Sequence, residues 1–151
     1  MADYYTHFSV MFDIPIQHKE LVDQLLENKL DPFEVIDWES ADEITPGFCY
    51  KWEPDHGRKQ LAILWIYAEE GDDNVTNVAT FVSYIQKRFQ LEEPWGMEWS
   101  NSCSRPKLDA FGGGAFICHR GKTKWNTTGG WLDKEWTKVI RKMDEQNAQR
   151  K

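Results

Sequence analysis

His7 and Ser9 are two residues apart in His-Phe-Ser, so on an extended strand both side chains leave the same face. An imidazole beside a hydroxyl is a pairing that proton transfer at a phosphate-bearing substrate can use. A second concentration of reactive groups lies in residues 95–120, WGMEWSNSCSRPKLDAFGGGAFICHR. Arg105 and Lys107 flank Pro106, and Asp109 and Phe111 lead into Gly112, Gly113 and Gly114. Consecutive glycines tolerate positive φ and let backbone amides approach a ligand or partner. The candidate binding surface is therefore Arg105, Lys107, Asp109, Phe111, Gly112, Gly113 and Gly114, with Trp99, His7 and Ser9. The plainer reading is favoured: an irregular loop over residues 109–114 whose glycines let strands pass close to Phe111 and the Trp side chains. No Gly-Lys-Ser/Thr follows the glycines, and the segment after them reads as strand. Neither a P-loop nor a dinucleotide fingerprint is present.

Other chemistries have less behind them. Cys103, Cys118 and His119 lack the paired spacing of a zinc site, and adjacent Cys118 and His119 point to opposite faces of a strand. No metal or other cofactor is expected. A nucleophilic Cys needs a neighbouring base and a lowered pKa, so buried cysteines acting as small apolar residues are the better expectation. Nucleic acid has a claim through a basic rim of Arg105, Lys107, Arg120, Lys122 and Lys124, with Trp125 and Trp131 to stack on bases. The formal net charge of −7 opposes a phosphate-driven binder, so this partner is not favoured. The acids Asp31, Glu34, Asp37, Glu39, Asp42 and Glu43 suggest the reverse, a chain that occupies a basic groove on another protein.

The elements that must position these groups fit one domain over residues 1–151, long enough for a real core. The aromatic share, 14%, argues for order. The longest apolar run, residues 61–68, is too short to span a bilayer, and the start lacks a signal-peptide pattern. Three Cys without a CxxC pair suggest free thiols in a reducing compartment. A cytoplasmic location follows as the expectation. Charge is uneven: residues 13–45 carry ten acids against two bases, and residues 104–151 carry five acids against eleven bases.

Residues 4–13 read as a strand with Thr6, Phe8, Val10 and Phe12 on one face and Tyr5, His7, Ser9 and Met11 on the other. Residues 17–30 read as an amphipathic helix, 48–53 and 60–68 as a hairpin about Pro54–Gly57, and 75–89 as the clearest helix, capped near Asn74. Residues 97–103, 115–119 and 122–126 read as strands, with a tight turn at Arg120-Gly121 and a loop at residues 127–130. Residues 131–145 read as a last helix with Leu132, Trp136, Val139, Ile140 and Met143 as its stripe, and residues 146–151 should fray. The order β-α-β-β-α-β followed by a hairpin and a helix predicts an α+β, ferredoxin-like antiparallel sheet with two helices on one face. The other face is left for a partner or closed by the last helix.

Two resemblances bear on this. His7 and Ser9 resemble one half of the paired His-x-Ser/Thr motifs of two-histidine phosphodiesterases, but Cys118-His119-Arg120-Gly121 has no hydroxyl two residues after its His. The run WGMEWSNSCSRPKLDAFGGGAFI, with Trp125-Asn-Thr, Trp131-Leu and the opening Tyr-Tyr-x-x-Phe-Ser, resembles small proteins carried by phages, plasmids and other bacterial mobile elements. That resemblance carries no catalytic residues. It implies a cytoplasmic accessory protein, with inhibition of a host defence or nucleic-acid-handling machine as its role. The expected partner is a host or phage protein, with a homodimer as an alternative and no membrane. The favoured function is non-enzymatic protein binding. The alternatives are a small nucleotide-binding or phosphodiesterase-like enzyme using His7, Ser9 and the glycine loop, and a nucleic-acid binder acting through the basic C-terminal third.

Overall fold

The computed structural model describes residues 4–27, 46–54, 57, 59–69, 73–106 and 111–150. The acidic stretch 31–45 and the candidates Lys107 and Asp109 lie outside the described residues. The fold is α+β, with two antiparallel sheets and three helices among the described residues. Strands β1 (Tyr4–His7), β5 (Trp95–Cys103), β6 (Gly112–His119) and β7 (Lys122–Thr127) form one sheet in the order β1-β5-β6-β7. Strands β2 (Ser9–Pro15), β3 (Cys49–Trp52) and β4 (Leu61–Tyr67) form the other in the order β2-β4-β3.

The first strand is thus divided. Its side chains alternate as expected, with Phe8, Phe12 and Ile14 buried and His7, Ser9, Met11 and Asp13 exposed. Its hydrogen-bond partners change at Phe8. Before it, His7 stands opposite Ser100 of β5; after it, Ser9 stands opposite Tyr67 of β4. Ala68 N–H closes the junction by donating to the Phe8 carbonyl at 2.9–3.0 Å range typical of such bonds, here 3.0 Å. The strands are thus divided between two sheets, and their order differs from the single βαββαβ sheet expected from the element order because one strand serves both.

Helix α1 (Lys19–Leu26), preceded by a 3₁₀ turn at Ile16–His18, buries Val22, Leu25 and Leu26. Helix α2 (Val75–Arg88) starts where Asn74 accepts a hydrogen bond from Asn77 N–H, and it buries Val78, Phe81, Val82 and Ile85. Both stripes meet the face carrying Phe12, Leu64, Ile66, Met97 and Phe116. Phe48, Phe81, Phe12, Trp95, Phe116 and Trp125 form a line of ring contacts, with centroids 4.8–6.4 Å apart, that joins the two sheets. Gln86, buried in α2, ties the β6–β7 turn: its amide donates to the Cys118 carbonyl at 3.0 Å and its oxygen accepts from Gly121 N–H at 3.1 Å. Arg120 (φ 51°) and Gly121 (φ 78°) make the two-residue turn that the sequence indicates.

Helix α3 (Thr128–Gln149) departs from expectation at both ends. It begins at Thr128, inside the expected loop, because Thr127 caps it by accepting from Gly130 N–H at 3.0 Å. It continues through residues 146–149, which do not fray. It closes neither sheet face. Its main contacts are with β6 and β7, and none of its residues is buried.

Phe12 sits where both sheets and α2 meet, touching Phe81 and Trp95. Phe12→Ala is expected to cost about 3–5 kcal/mol, as for other large-to-small changes in a packed core. Urea unfolding followed by circular dichroism should show a lower midpoint at unchanged slope. A loss under about 1 kcal/mol would show that the two sheets do not share one core.

Candidate interaction site

The glycines come first, because they set the geometry at the root of α3. Gly112, Gly113 and Gly114 are not a loop; they form the start of β6, paired with Asn101, Ser100 and Trp99 of β5. The reason is conformational. Gly112 (φ 131°) and Gly113 (φ 149°) hold backbone states that side-chain-bearing residues rarely adopt, so the strand extends through residues that otherwise break it. Space is equally tight. A Cβ on Gly113 would lie 2.2 Å from the Trp99 carbonyl oxygen, and one on Gly114 would lie 2.5 Å from the Asn126 carbonyl oxygen and 2.8 Å from the Trp99 ring. The packing reading of the triplet therefore accounts for it.

That arrangement fixes where α3 begins. Thr128 Oγ1 donates to the Gly113 carbonyl at 3.1 Å, next to the Thr127 cap. An open groove of about 770 Å³ lies here, between Trp99 and Gly114 on one side and Thr128, Trp131 and Leu132 on the other. From this root α3 extends over its whole length of about 33 Å, at 1.5 Å per residue, with its apolar stripe bare. Leu132, Trp136, Val139, Ile140 and Met143 of the stripe, and Trp131 at the root, are exposed by 44–66%.

The indoles sort the same way. Trp52, Trp65 and Trp95 donate their N–H to Asp23 Oδ1, Ser9 Oγ and the Met11 carbonyl at 2.8–2.9 Å. Trp99, Trp125, Trp131 and Trp136 make no such bond among the described residues. Buried indoles usually find a partner. The four without one all lie on α3 or beside its root, where Trp99 and Trp125 meet edge to face at 5.8 Å.

The other sequence candidates are dispersed. His7 Nε2 and Ser102 Oγ share a hydrogen bond of 2.7 Å, and Ser9 accepts from Trp65, so the two side chains of His-Phe-Ser serve different sheets. Neither lines the groove beside the glycines. Phe111 is 55% exposed, and Arg105 is exposed just past β5. Arg120 sits at the opposite end of the sheet, since Cys118 pairs with Trp95 at the start of β5 and Cys103 ends it. Lys122 and Lys124 alternate with Trp125 along β7, so they face away from it. Among the described residues, Arg120, Lys122 and Lys124 thus lie at another end or on another face from Trp125, which gives little support to a single nucleic-acid groove.

No group of three or more His, Cys, Asp or Glu suited to a metal occurs among the described residues. Cys118 is buried beside Ser83 and Thr123, and eight residues of β5 separate the register of Cys118 from Cys103, roughly 27 Å along the strand. Cys49 is held as a thiol: burial pushes its pKa up, and the Asp73 and Glu69 carboxylates push it further. This is the reverse of an activated nucleophile. Comparison with family models, with curated proteins and with solved structures finds no match.

The signal that would have found this site was present in the stripe itself. Leu132, Trp136, Val139, Ile140 and Met143 look like any core-facing stripe, and periodicity does not reveal whether a core lies opposite.

Two outcomes follow. Gly113→Ala should destabilise the fold by about 2 kcal/mol or more from strain and overlap, read as a lowered urea midpoint; a variant of wild-type stability would contradict the packing role. Asp73→Asn removes a negative charge facing Cys49, which lowers the thiol pKa and leaves more thiolate at pH 8. Iodoacetamide should then label Cys49 several-fold faster than in the parent, as peptide mass spectrometry would show.

Proposed function

We propose that this chain is a non-enzymatic protein-binding protein and that it binds through the bare stripe of α3 and the groove at its root. The observation that carries this reading is a 22-residue helix, none of whose residues is buried, with Leu132, Trp136, Val139, Ile140 and Met143 on one exposed stripe and Trp131 exposed at its root. Contiguous apolar surface of this kind marks interaction sites. Trp is the residue most often found at the energetic centre of an interface. The alternative phosphodiesterase-like reading has less support, because His7 and Ser9 are already engaged with Ser102 and Trp65 on different sheets.

Three finer readings belong to the same proposal. The sheets β2-β4-β3 and β1-β5-β6-β7 share the chain at Phe8, where β1 gives way to β2, which supports treating the fold as a ferredoxin-like sheet opened at that point. No helix among the described residues is long and apolar enough to cross a membrane, and a cytoplasmic location is proposed with the free thiols in mind. The mobile-element resemblance supports a role as an accessory protein directed at a host defence or nucleic-acid-handling machine.

The test is affinity capture from a bacterial lysate, with and without nuclease, using the full chain and Trp136→Glu. Proteins retained by the parent in both arms and lost with Trp136→Glu are expected. Captures indifferent to Trp136→Glu, or abolished by nuclease, would place recognition elsewhere.

A further inference from the structure

We infer that the occupant of the α3 stripe is α3 of a second copy of this chain, lying antiparallel. The inference rests on the reading of α3 as a binding surface and names its partner.

Leu132, Trp136, Val139 and Met143 follow at spacings of four, three and four, the seam pattern of two helices packed side by side. An antiparallel pair with its twofold axis between residues 137 and 138 places Trp136 against Val139 of the other copy, and Leu132 against Met143. A large side chain meets a smaller or flexible one in every layer. The parallel arrangement sets Trp136 against Trp136 in one layer, which packs poorly.

Charge selects the same direction. Residues 128–149 hold four acids and four bases, so α3 has no net charge to draw it to an acidic partner, a phosphate backbone or an anionic lipid surface. It does complement itself. Glu135 and Lys142 flank the seam on the same side, one heptad apart. Antiparallel pairing brings Glu135 of each copy to Lys142 of the other, twice by symmetry, whereas parallel pairing gives neither a charged neighbour across the seam. Within its own chain Glu135 meets Lys138 at 3.0 Å, while Lys142 has no ion-pair partner among the described residues.

Five side chains of the stripe, Leu132, Trp136, Val139, Ile140 and Met143, exposed by 44–66% and each offering on the order of 100 Å², give about 1,000 Å² for the pair, the least a specific interface needs. The groove extends it. Pairing Leu132 with Met143 carries the end of each α3 past Trp131 of the other copy and over the opening beside Gly114.

Sedimentation equilibrium on the full chain at about 1–100 μM should give roughly 36 kDa, twice the chain mass of 17.8 kDa. Trp136→Glu should sediment as a monomer with an unchanged circular dichroism spectrum in the near ultraviolet. Lys142→Glu should weaken the dimer about tenfold by turning two attractive pairs repulsive, and Glu135→Lys combined with Lys142→Glu should restore it. A parent that stays monomeric at 100 μM overturns the inference. A dimer that survives Trp136→Glu, or a double exchange that fails to rescue, overturns it as well. A monomeric parent that still captures proteins through Trp136 would remove the second copy and leave the binding reading standing; a monomer without such capture would remove both.

Discussion

One strand holds this molecule together, and it has two obligations. Residues 4–7 pair with β5 and residues 9–15 with β4, so the chain must leave one neighbour as it joins the other. Leaving a strand partner exposes backbone groups that need replacement bonds. The Trp95 indole supplies one by donating to the Met11 carbonyl at 2.8 Å, beyond the point where β5 stops pairing with the first strand. Its ring meanwhile rests on Phe12 and Phe116, one from each sheet. A single side chain thus replaces a backbone hydrogen bond and bridges the two apolar faces. Without that seam the sheets would have separate cores, each small for its strands.

The opened sheet also decides what α2 can cover. It spans the junction, burying Phe81 against Phe12 and Phe48, and reaches β6 and β7 near Cys118 and Thr123. The other end of β5–β7, with Trp99 and Trp125, lies beyond it, and that is where the chain turns into α3. Direction is then fixed by two short bonds, Thr127 to Gly130 and Thr128 to Gly113. The first caps the helix within its own opening turn, and the second ties that turn to the glycine strand. From there the helix runs on with its apolar stripe exposed.

Local features were legible in the sequence to the extent that local physics decides them. The Asn74 cap, the Arg120-Gly121 turn and the alternation of residues 4–13 all depend on neighbours a few positions away, and all formed as read. The division of the first strand was not legible, because alternation runs unbroken through Phe8 and only the identity of the partner changes. The glycine triplet misled for a related reason. Glycine is a common loop residue, yet here its freedom is used to keep a strand extended where Trp99 and Asn126 leave no room for a Cβ. Of the candidate residues, Trp99, Gly112, Gly113 and Gly114 do gather at one place, and His7, Ser9 and Arg105 do not. What drew them into one group was adjacency in sequence and functional promise, and neither carries distance.

The tryptophans then argue for where recognition happens. A Trp in a folded chain satisfies two demands, apolar cover for its rings and a partner for its N–H. Trp52, Trp65 and Trp95 have both, supplied by the chain itself. Trp131 and Trp136 have neither, and Trp125 has only half its rings covered. A solitary exposed Trp is unremarkable in any surface. Three beside one exposed helical stripe leave the same two demands unmet in the same place. No hydrogen-bond partner for these indoles is found among the described residues, and that is the ground for reading α3 and its root as the recognition surface.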